Sequence, residues 1–145
     1  MHMPLVELLA DAAVADGLWQ AWRDSRPGPS GGHEEGGFIL RDDSGTISIS
    51  RWPIGSTDVI DVPPHAGCRF AGRDIVATFH THPNTGDDYR QEPSATDRRA
   101  IRDDPDLKGA WYHGEFVTAQ DLTYAVDPRG DVTVIGSTAA LFSRA

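Results

Sequence analysis

Apolar residues near the start of the chain recur at the spacing of an amphipathic helix. Between residues 5 and 24, the positions that follow this spacing are Leu5, Leu8, Leu9, Ala12, Trp19 and Trp22. Because residues three and four apart lie on one face of a helix, the pattern predicts a helix over residues 5–24 that packs its tryptophans onto the rest of the protein. The Pro- and Gly-rich run at residues 26–32 predicts a loop after it.

From residue 37 onward, the pattern changes to short runs of β-branched and aromatic residues, which are typical of strands. The predicted strands cover residues 37–40, 46–50, 58–62, 75–82, 110–118, 123–127 and 132–135. A second helix is predicted from Ser94 to Asp103, with Pro105 marking its end. Helices and strands mix without a regular βαβ rhythm, so the predicted fold class is α+β, one mixed sheet flanked by helices. Trp111, within a predicted strand, is expected in the core.

Size and charge limit what the chain can be. Its 145 residues predict a single domain over residues 1–145. A formal net charge of -9 argues against nucleic acid and anionic membranes as partners. The single cysteine, Cys68, excludes an intrachain disulfide and fits a reducing compartment. We see no targeting segment and no run near the ~18 apolar residues of a membrane span, so the expected location is the cytoplasm. The oligomeric state stays open.

The stretch with the clearest chemistry is His80-Thr81-His82-Pro83, at the end of a predicted strand. Residues i and i+2 of a strand point to the same face, so His80 and His82 present two imidazoles side by side. Imidazole nitrogens are good zinc ligands, and Asp97 in the first turn of the next helix is the natural third ligand. Three protein ligands and one open position are the pattern of a catalytic zinc site.

A catalytic zinc site also needs a general base and a group that stabilises the developing oxyanion. Glu34 and Glu35 lie just before the first predicted strand, where a carboxylate can reach the two histidines across the sheet. Ser94 lies one helical turn before Asp97, and its hydroxyl is the candidate oxyanion donor. Spacing within the chain does not by itself decide between Glu34 and Glu35.

Each of these signals has a simpler structural interpretation. Ser94 and Asp97 make an ordinary helix start, with Ser at the N-cap and an acid three residues on. His80 and His82 fit two surface histidines, and the two glutamates fit solvated charge at a strand start. A cupin also uses His-x-His, but it expects a Glu a few residues later, and here the next Glu is Glu92. The positions in correct order favour a metal site. The remaining histidines at 33, 65 and 113 are expected to be structural or exposed.

Taken together, Glu, then His-x-His-Pro, then Ser-x-x-Asp resembles the JAMM motif of MPN-domain (JAB-type) zinc metallopeptidases. Residues 34–40 resemble the first core strand of that family, in which the catalytic Glu precedes a Gly by three positions. That spacing selects Glu34. Residues 93–97 look like the prokaryotic stand-alone members.

The resemblance implies an MPN/JAB-like fold of cytidine-deaminase-like architecture, with zinc at the edge of the sheet. It implies that His80, His82 and Asp97 bind Zn²⁺, that Glu34 activates the zinc-bound water, and that Ser94 stabilises the oxyanion. It implies hydrolysis of an isopeptide or peptide bond next to the C-terminus of a ubiquitin-like or sulfur-carrier protein. Two other functions stay open: a non-catalytic MPN-like binding scaffold, and a JAB-like toxin or effector domain.

One departure concerns the loop between the histidines and the serine. Eleven residues separate His82 from Ser94, which is longer than the familiar spacing. The extra length falls at residues 84–92, where it is expected to bulge outward as a small lid or a substrate-selecting edge. Family-derived substrate contacts therefore do not carry over to this chain.

Overall fold

A computed structural model describes residues 4–29, 32–85 and 91–142 of the chain. Its helices are α1 (Ala12–Asp24), α2 (Ala95–Arg102) and α3 (Thr138–Leu141). Its strands are β1 (Gly36–Arg41), β2 (Ile47–Arg51), β3 (Arg69–Phe70), β4 (Arg73–Thr81), β5 (Glu115–Thr118), β6 (Leu122–Val126) and β7 (Val132–Ser137). Short 3₁₀ segments lie at Leu5–Ala10, Ala66–Cys68 and Pro105–Leu107.

The strands form one mixed sheet in the order β2-β1-β4-β5-β6-β7, with β3 paired to β4. β4 and β5 are parallel, and every other pair is antiparallel. Helices accompany this sheet, so the predicted α+β class is confirmed. None of the helices in the described ranges has the length and apolar content needed to cross a membrane.

Two apolar clusters lie on opposite faces of the sheet. On one face, α1 packs Val14 and Leu18 against Phe79 and Phe116. The other cluster joins sheet residues, Val117 among them, to α2 and to the 3₁₀ segment after it. Because both faces are covered, the central strands are buried almost throughout, as the runs of apolar residues predict.

A β-bulge in β4 decides which side chains reach the second face. Ile39 pairs with Ala77, but the next residue of β1, Leu40, pairs with Ile75, so Val76 has no partner in the register. A bulge of this kind breaks the strict alternation of faces. Ile75 therefore packs in the second cluster, although Ala77 and Phe79 pack in the first.

Two predicted elements are wrong in their extent. The helix expected over residues 5–24 is broken at Asp11, whose backbone is extended (φ -79, ψ 124) and whose carboxylate accepts a hydrogen bond from Ala13 N as the N-cap of α1. That local hydrogen bond competes with helix continuation. The strand expected over residues 110–118 is confined to Glu115–Thr118, and α3 and β3 were not predicted.

The strand predicted over residues 58–62 is also wrong, because this stretch belongs to a loop that runs from Trp52 to His65. Val59 is 58% exposed, and its carbonyl accepts a turn hydrogen bond from Ser56 N (2.8 Å). The loop pairs instead with Glu34, two residues before β1: Glu34 N donates to Ser56 O (2.6 Å), and Gly55 N donates to Glu34 O (2.9 Å). Both backbone polar groups of Glu34 are thereby held by this loop.

The expectation that Trp111 lies in the core is wrong too. Its side chain is about half exposed and packs under the Arg41 guanidinium, 4.4 Å from the ring centroid. A cation over an aromatic face offsets part of the cost of leaving the ring in water. Trp22 is buried as expected, and Trp19 packs on Phe142 with 6.0 Å between ring centroids.

His65 anchors the far end of the loop that runs from Trp52 to His65. Its Nδ1 lies 2.7 Å from Pro63 O, and its Nε2 lies 2.7 Å from a carboxylate oxygen of Asp104. Both partners accept hydrogen bonds, so the ring satisfies both only when both nitrogens carry a proton. Burial lowers the pKa of His65, but these two hydrogen bonds and the charge of Asp104 and Asp106 outweigh burial and raise it above its ordinary value.

We expect His65→Gln to cost stability mainly at low pH. A histidine whose pKa is raised by folding stabilises the protein fully below its unfolded pKa of about 6.5, and that stabilisation is lost as the pH rises through the folded pKa. At pH 5 the free energy of unfolding of the variant should be lower than that of the unaltered protein by about 1.5–3 kcal/mol. Urea unfolding between pH 5 and 8.5 measures this difference, which should shrink toward high pH.

Asp104→Asn serves as the matched control, because it removes the partner and leaves the histidine in place. Its difference from the unaltered protein should follow the same pH trend. A penalty for His65→Gln that is constant, or that grows toward pH 8.5, would contradict the assignment of a protonated His65.

Candidate metal centre

The three predicted ligands meet at the end of the central strand. His80 is the second-last residue of β4, and His82 directly follows the strand. Asp97 lies in the first turn of α2. One donor atom from each of the three residues lies within 4.8 Å of the others, so the group is able to hold a metal ion. Gly36 pairs with His80 on one side of β4 and Val117 pairs with it on the other, which fixes the strand end between two neighbours.

The separations of the donor atoms fit a tetrahedral ion. The Nε2 atoms of His80 and His82 are 3.2 Å apart. Asp97 places Oδ2 3.2 Å from His82 Nε2 and Oδ1 3.5 Å from His80 Nε2. Ligands about 2.0–2.2 Å from a tetrahedral zinc ion lie roughly 3.3–3.6 Å from one another. The two imidazoles are thus close to this spacing from one another, and each is close to it from one oxygen of Asp97.

The second nitrogen of each imidazole is held by a hydrogen-bond acceptor. His80 Nδ1 lies 3.3 Å from Glu115 Oε1, and His82 Nδ1 lies 2.9 Å from the carbonyl oxygen of Gln91. An acceptor at Nδ1 keeps a proton there and leaves the lone pair on Nε2. In their neutral forms both rings thus direct an Nε2 lone pair at the same point, which is the usual arrangement behind metal-binding histidines.

Glu115 is the functional residue that the sequence reasoning missed. It is 4% exposed, begins β5, and is brought to His80 by the parallel pairing of β4 with β5. Its one signal in the sequence is an acidic residue at the head of the apolar run Phe116-Val117. Buried carboxylates are rare without a partner, so this acid indicates a cation or a proton donor nearby.

Electrostatics at the centre follow from these contacts. Burial lowers the pKa of His80, but the charge of Glu115 and the hydrogen bond with Asp97 outweigh it and hold this pKa well above its usual value. Burial raises the pKa of Asp97, but His80 and His82 outweigh it and hold this pKa far below its usual value. The site therefore favours a positive charge among the donors, which either a proton or a metal cation supplies.

Ser94 and Asp97 also form a complete capping box at the start of α2. Asp97 N donates to Ser94 Oγ (3.1 Å), and Ser94 N donates to Asp97 Oδ2 (2.8 Å). The helix-start interpretation and the ligand interpretation are thus compatible, because the cap orients the carboxylate that faces the histidines. The Ser94 hydroxyl accepts in the cap, and its own hydrogen is left to donate elsewhere.

The structure places Glu34 and Glu35 in different surroundings. Glu34 is 8% exposed and lines both cavities beside the metal donors. Burial raises its pKa, and the charge of His80 and His82 offsets this only in part. Glu35 instead accepts hydrogen bonds from Arg51 (2.5 Å) and pairs with His33 (2.6 Å). Glu34 thus has the position of a general base, and its raised pKa suits that role.

Two cavities flank the donors, and they share Glu34, Asp58 and Asp97. We name the one of about 240 Å³ the apolar cavity, because it extends from His80 toward Trp52 and Ile101. The other, of about 170 Å³, contains His82 and Ser94 and is named the polar cavity. A larger cavity of about 660 Å³ is lined by none of the predicted site residues and lies away from the centre.

The loop expected to act as a lid lies partly outside the described residues, at 86–90. Its described ends are tied together, because Gln91 Nε2 donates to the carbonyl oxygen of Asn84 (2.8 Å). Asn84 in turn donates from Nδ2 to Thr57 O (3.2 Å), in the loop from Trp52 to His65. These contacts hold the carbonyl oxygen of Gln91 within hydrogen-bond distance of His82 Nδ1.

Comparison of the chain with protein-family models, with curated proteins and with solved structures finds no match in any of the three. The JAMM-like pattern therefore stands on the residues and their geometry.

We expect the protein to bind about one zinc ion per chain when zinc is supplied, and His82→Ala to lose it. Removing one of three protein ligands leaves too few donors for a stable four-coordinate site. Elemental analysis after dialysis measures the ratio of metal to protein. His33→Ala, which changes a histidine outside the donor group, should keep its metal, and equal metal content in the two variants would contradict the site.

We expect Glu115→Gln to weaken zinc binding about 10- to 100-fold without abolishing it. The amide keeps the size of the side chain but no longer offers a carboxylate to His80 Nδ1, so the ring loses orientation and basicity. Competition with a chromophoric chelator measures the affinity. The control is Glu7→Gln, at an exposed position remote from the centre. An unchanged zinc affinity in Glu115→Gln would show that Glu115 does not support His80.

Proposed function

We propose that the protein is a zinc-dependent hydrolase of the JAMM type that cleaves a peptide or isopeptide bond in a protein substrate. The observation that carries the proposal is the spacing of His80 Nε2, His82 Nε2 and the Asp97 carboxylate, at 3.2–3.5 Å from one another. Among the described residues, three protein donors converge, which leaves an open position of the kind that catalytic sites keep. Glu34 and Ser94 lie in the cavities beside it.

Each residue has a role that its surroundings support. Zinc bound to the three donors would polarise a carbonyl group and acidify water. Glu34 takes a proton from the attacking water and delivers it to the departing amine, and its raised pKa suits both steps. Ser94 donates its hydroxyl hydrogen to the carbonyl oxygen as negative charge develops there. One C–N bond breaks, one C–O bond forms, and the elements of water are divided between the carboxylate and the amine.

The reaction class suits a protein substrate. Ubiquitin-like and sulfur-carrier proteins are the substrate class that the resemblance implies, and we propose their C-terminal linkages as the first to test. A scaffold that only binds a partner needs neither an open metal position nor a buried Glu34 beside it. These features favour catalysis over the scaffold function.

The deciding variant is Glu34→Gln. We expect it to bind zinc at the same ratio as the unaltered protein but to lose turnover by about 100-fold or more, because an amide cannot move the proton. Turnover is measured on fluorogenic amides of a ubiquitin-like C-terminus and of a set of short peptides, alongside metal analysis. Glu7→Gln is the control and should keep full activity. Unchanged turnover in Glu34→Gln would refute the assigned base.

Zinc-loaded protein that hydrolyses none of these amides, while Glu34→Gln binds the same metal, would refute the hydrolase. The binding scaffold would then be the better explanation of the metal centre.

A further inference from the structure

The apolar cavity is built to enclose a small apolar group. Most of its wall is apolar, and the aliphatic side chains in it are Val59, Ile60 and Val62 of the loop, Ile101 of α2, and Leu107. Carboxylates of Asp58, Asp104 and Glu115 also line it. Its volume of about 240 Å³ falls below the ~300–1,000 Å³ of cavities that enclose whole small-molecule ligands. A cavity of that size suits one side chain of a larger substrate.

A buried donor in the same wall indicates what else the occupant brings. Trp52 lines the apolar cavity, is 5% exposed, and its indole N–H has no acceptor among the described residues. The ring is held edge-on against Phe38, with 5.3 Å between centroids. Buried donors are nearly always paired. An occupant with a carbonyl oxygen beside its apolar group, as in a peptide, would satisfy this N–H.

The lining of the polar cavity indicates which half of a substrate lies on that side of the metal donors. Asn84 and Glu92 line it, and the side-chain oxygen of Asn84 is buried without a donor among the described residues. Carboxylate and amide oxygens suit an amine, which donates hydrogen bonds and gains charge as it departs. The departing amine therefore belongs in the polar cavity, and the acyl side of the bond belongs in the apolar cavity.

We propose that the apolar cavity is a specificity pocket for the side chain of the acyl residue, the one whose carbonyl is attacked, and that this residue is aliphatic and of the size of leucine. The proposal rests on the proposed function, because it places that carbonyl at the zinc site. It also narrows the proposed substrate class, because a glycine at this position would leave the cavity empty. The Gly-Gly C-termini that the resemblance implies for ubiquitin-like substrates are therefore expected to be poorer substrates than C-termini that end in an aliphatic residue.

Hydroxamates test the pocket without turnover, because the hydroxamate group binds zinc and carries the acyl side chain with it. The probes are N-acetyl-leucine hydroxamate and N-acetyl-glycine hydroxamate, titrated by calorimetry into the zinc-supplied full chain. We expect the leucine compound to bind at least about 10-fold more tightly, since each added methylene in an apolar pocket contributes severalfold to affinity.

Two matched variants locate the effect. Ala100 is an exposed residue of α2 that lines the apolar cavity, and Ala139 is an exposed residue of α3 that lines neither cavity. Ala100→Phe should fill the cavity and abolish the preference for leucine while the glycine compound still binds. Ala139→Phe should keep the preference.

Each outcome decides something. Equal affinity of the two hydroxamates in the unaltered protein, or an unchanged preference in Ala100→Phe, would overturn the pocket and leave the hydrolase standing. Failure of both hydroxamates to bind protein that has been supplied with zinc would overturn the hydrolase and the pocket together.

Discussion

Three groups that each present a lone pair to the same point require a positive charge between them, and this requirement is the constraint on which the rest of the site depends. The Nε2 atoms of His80 and His82 and the Asp97 carboxylate lie 3.2–3.5 Å apart, at the end of the central strand. Such a group is stable only around a positive charge. Glu115 and the Gln91 carbonyl face the Nδ1 atoms of the two rings, so Nε2 of each ring is left to share a proton or a metal cation with Asp97.

The fold supplies the stiffness that holds these acceptors together. β4 is the central strand, hydrogen-bonded on both sides and covered on both faces, so the position of His80 cannot relax away from its neighbours. Asp97 is fixed by the capping box of α2, and Glu34 is fixed by backbone hydrogen bonds to the loop that begins at Trp52. Rigid elements thus carry the donors.

The parts of the site that sequence reasoning predicted are those that depend on short-range geometry. His80 and His82 share a face because they are two residues apart at a strand end, and the Ser94–Asp97 relation is contained within one helical turn. The α+β class followed in the same way from local periodicity. The break at Asp11 is equally local, but there a single N-cap hydrogen bond outweighs the helical pattern around it.

Glu115 and the loop from Trp52 to His65 could not be found by such reasoning. The approach of Glu115 to His80 depends on the register of two parallel strands that are far apart in sequence, and the bulge at Val76 alters which residues share a face. Residues 58–62 have the composition of a strand, but their neighbours pair with Glu34 instead of with an edge of the sheet. Both outcomes are decided by long-range contacts that a single sequence does not display.

Because Asp97 is both part of the capping box of α2 and a candidate metal ligand, it couples metal binding to the stability of the fold. One carboxylate both begins α2 and faces the two histidines, so an ion held there also holds a helix onto the sheet. A ligand that binds the folded chain alone adds about 2.7 kcal/mol of stability at 100 times its dissociation constant. Where the metal ion that fits the site is scarce, the amount of intact protein would then fall with the supply of that ion.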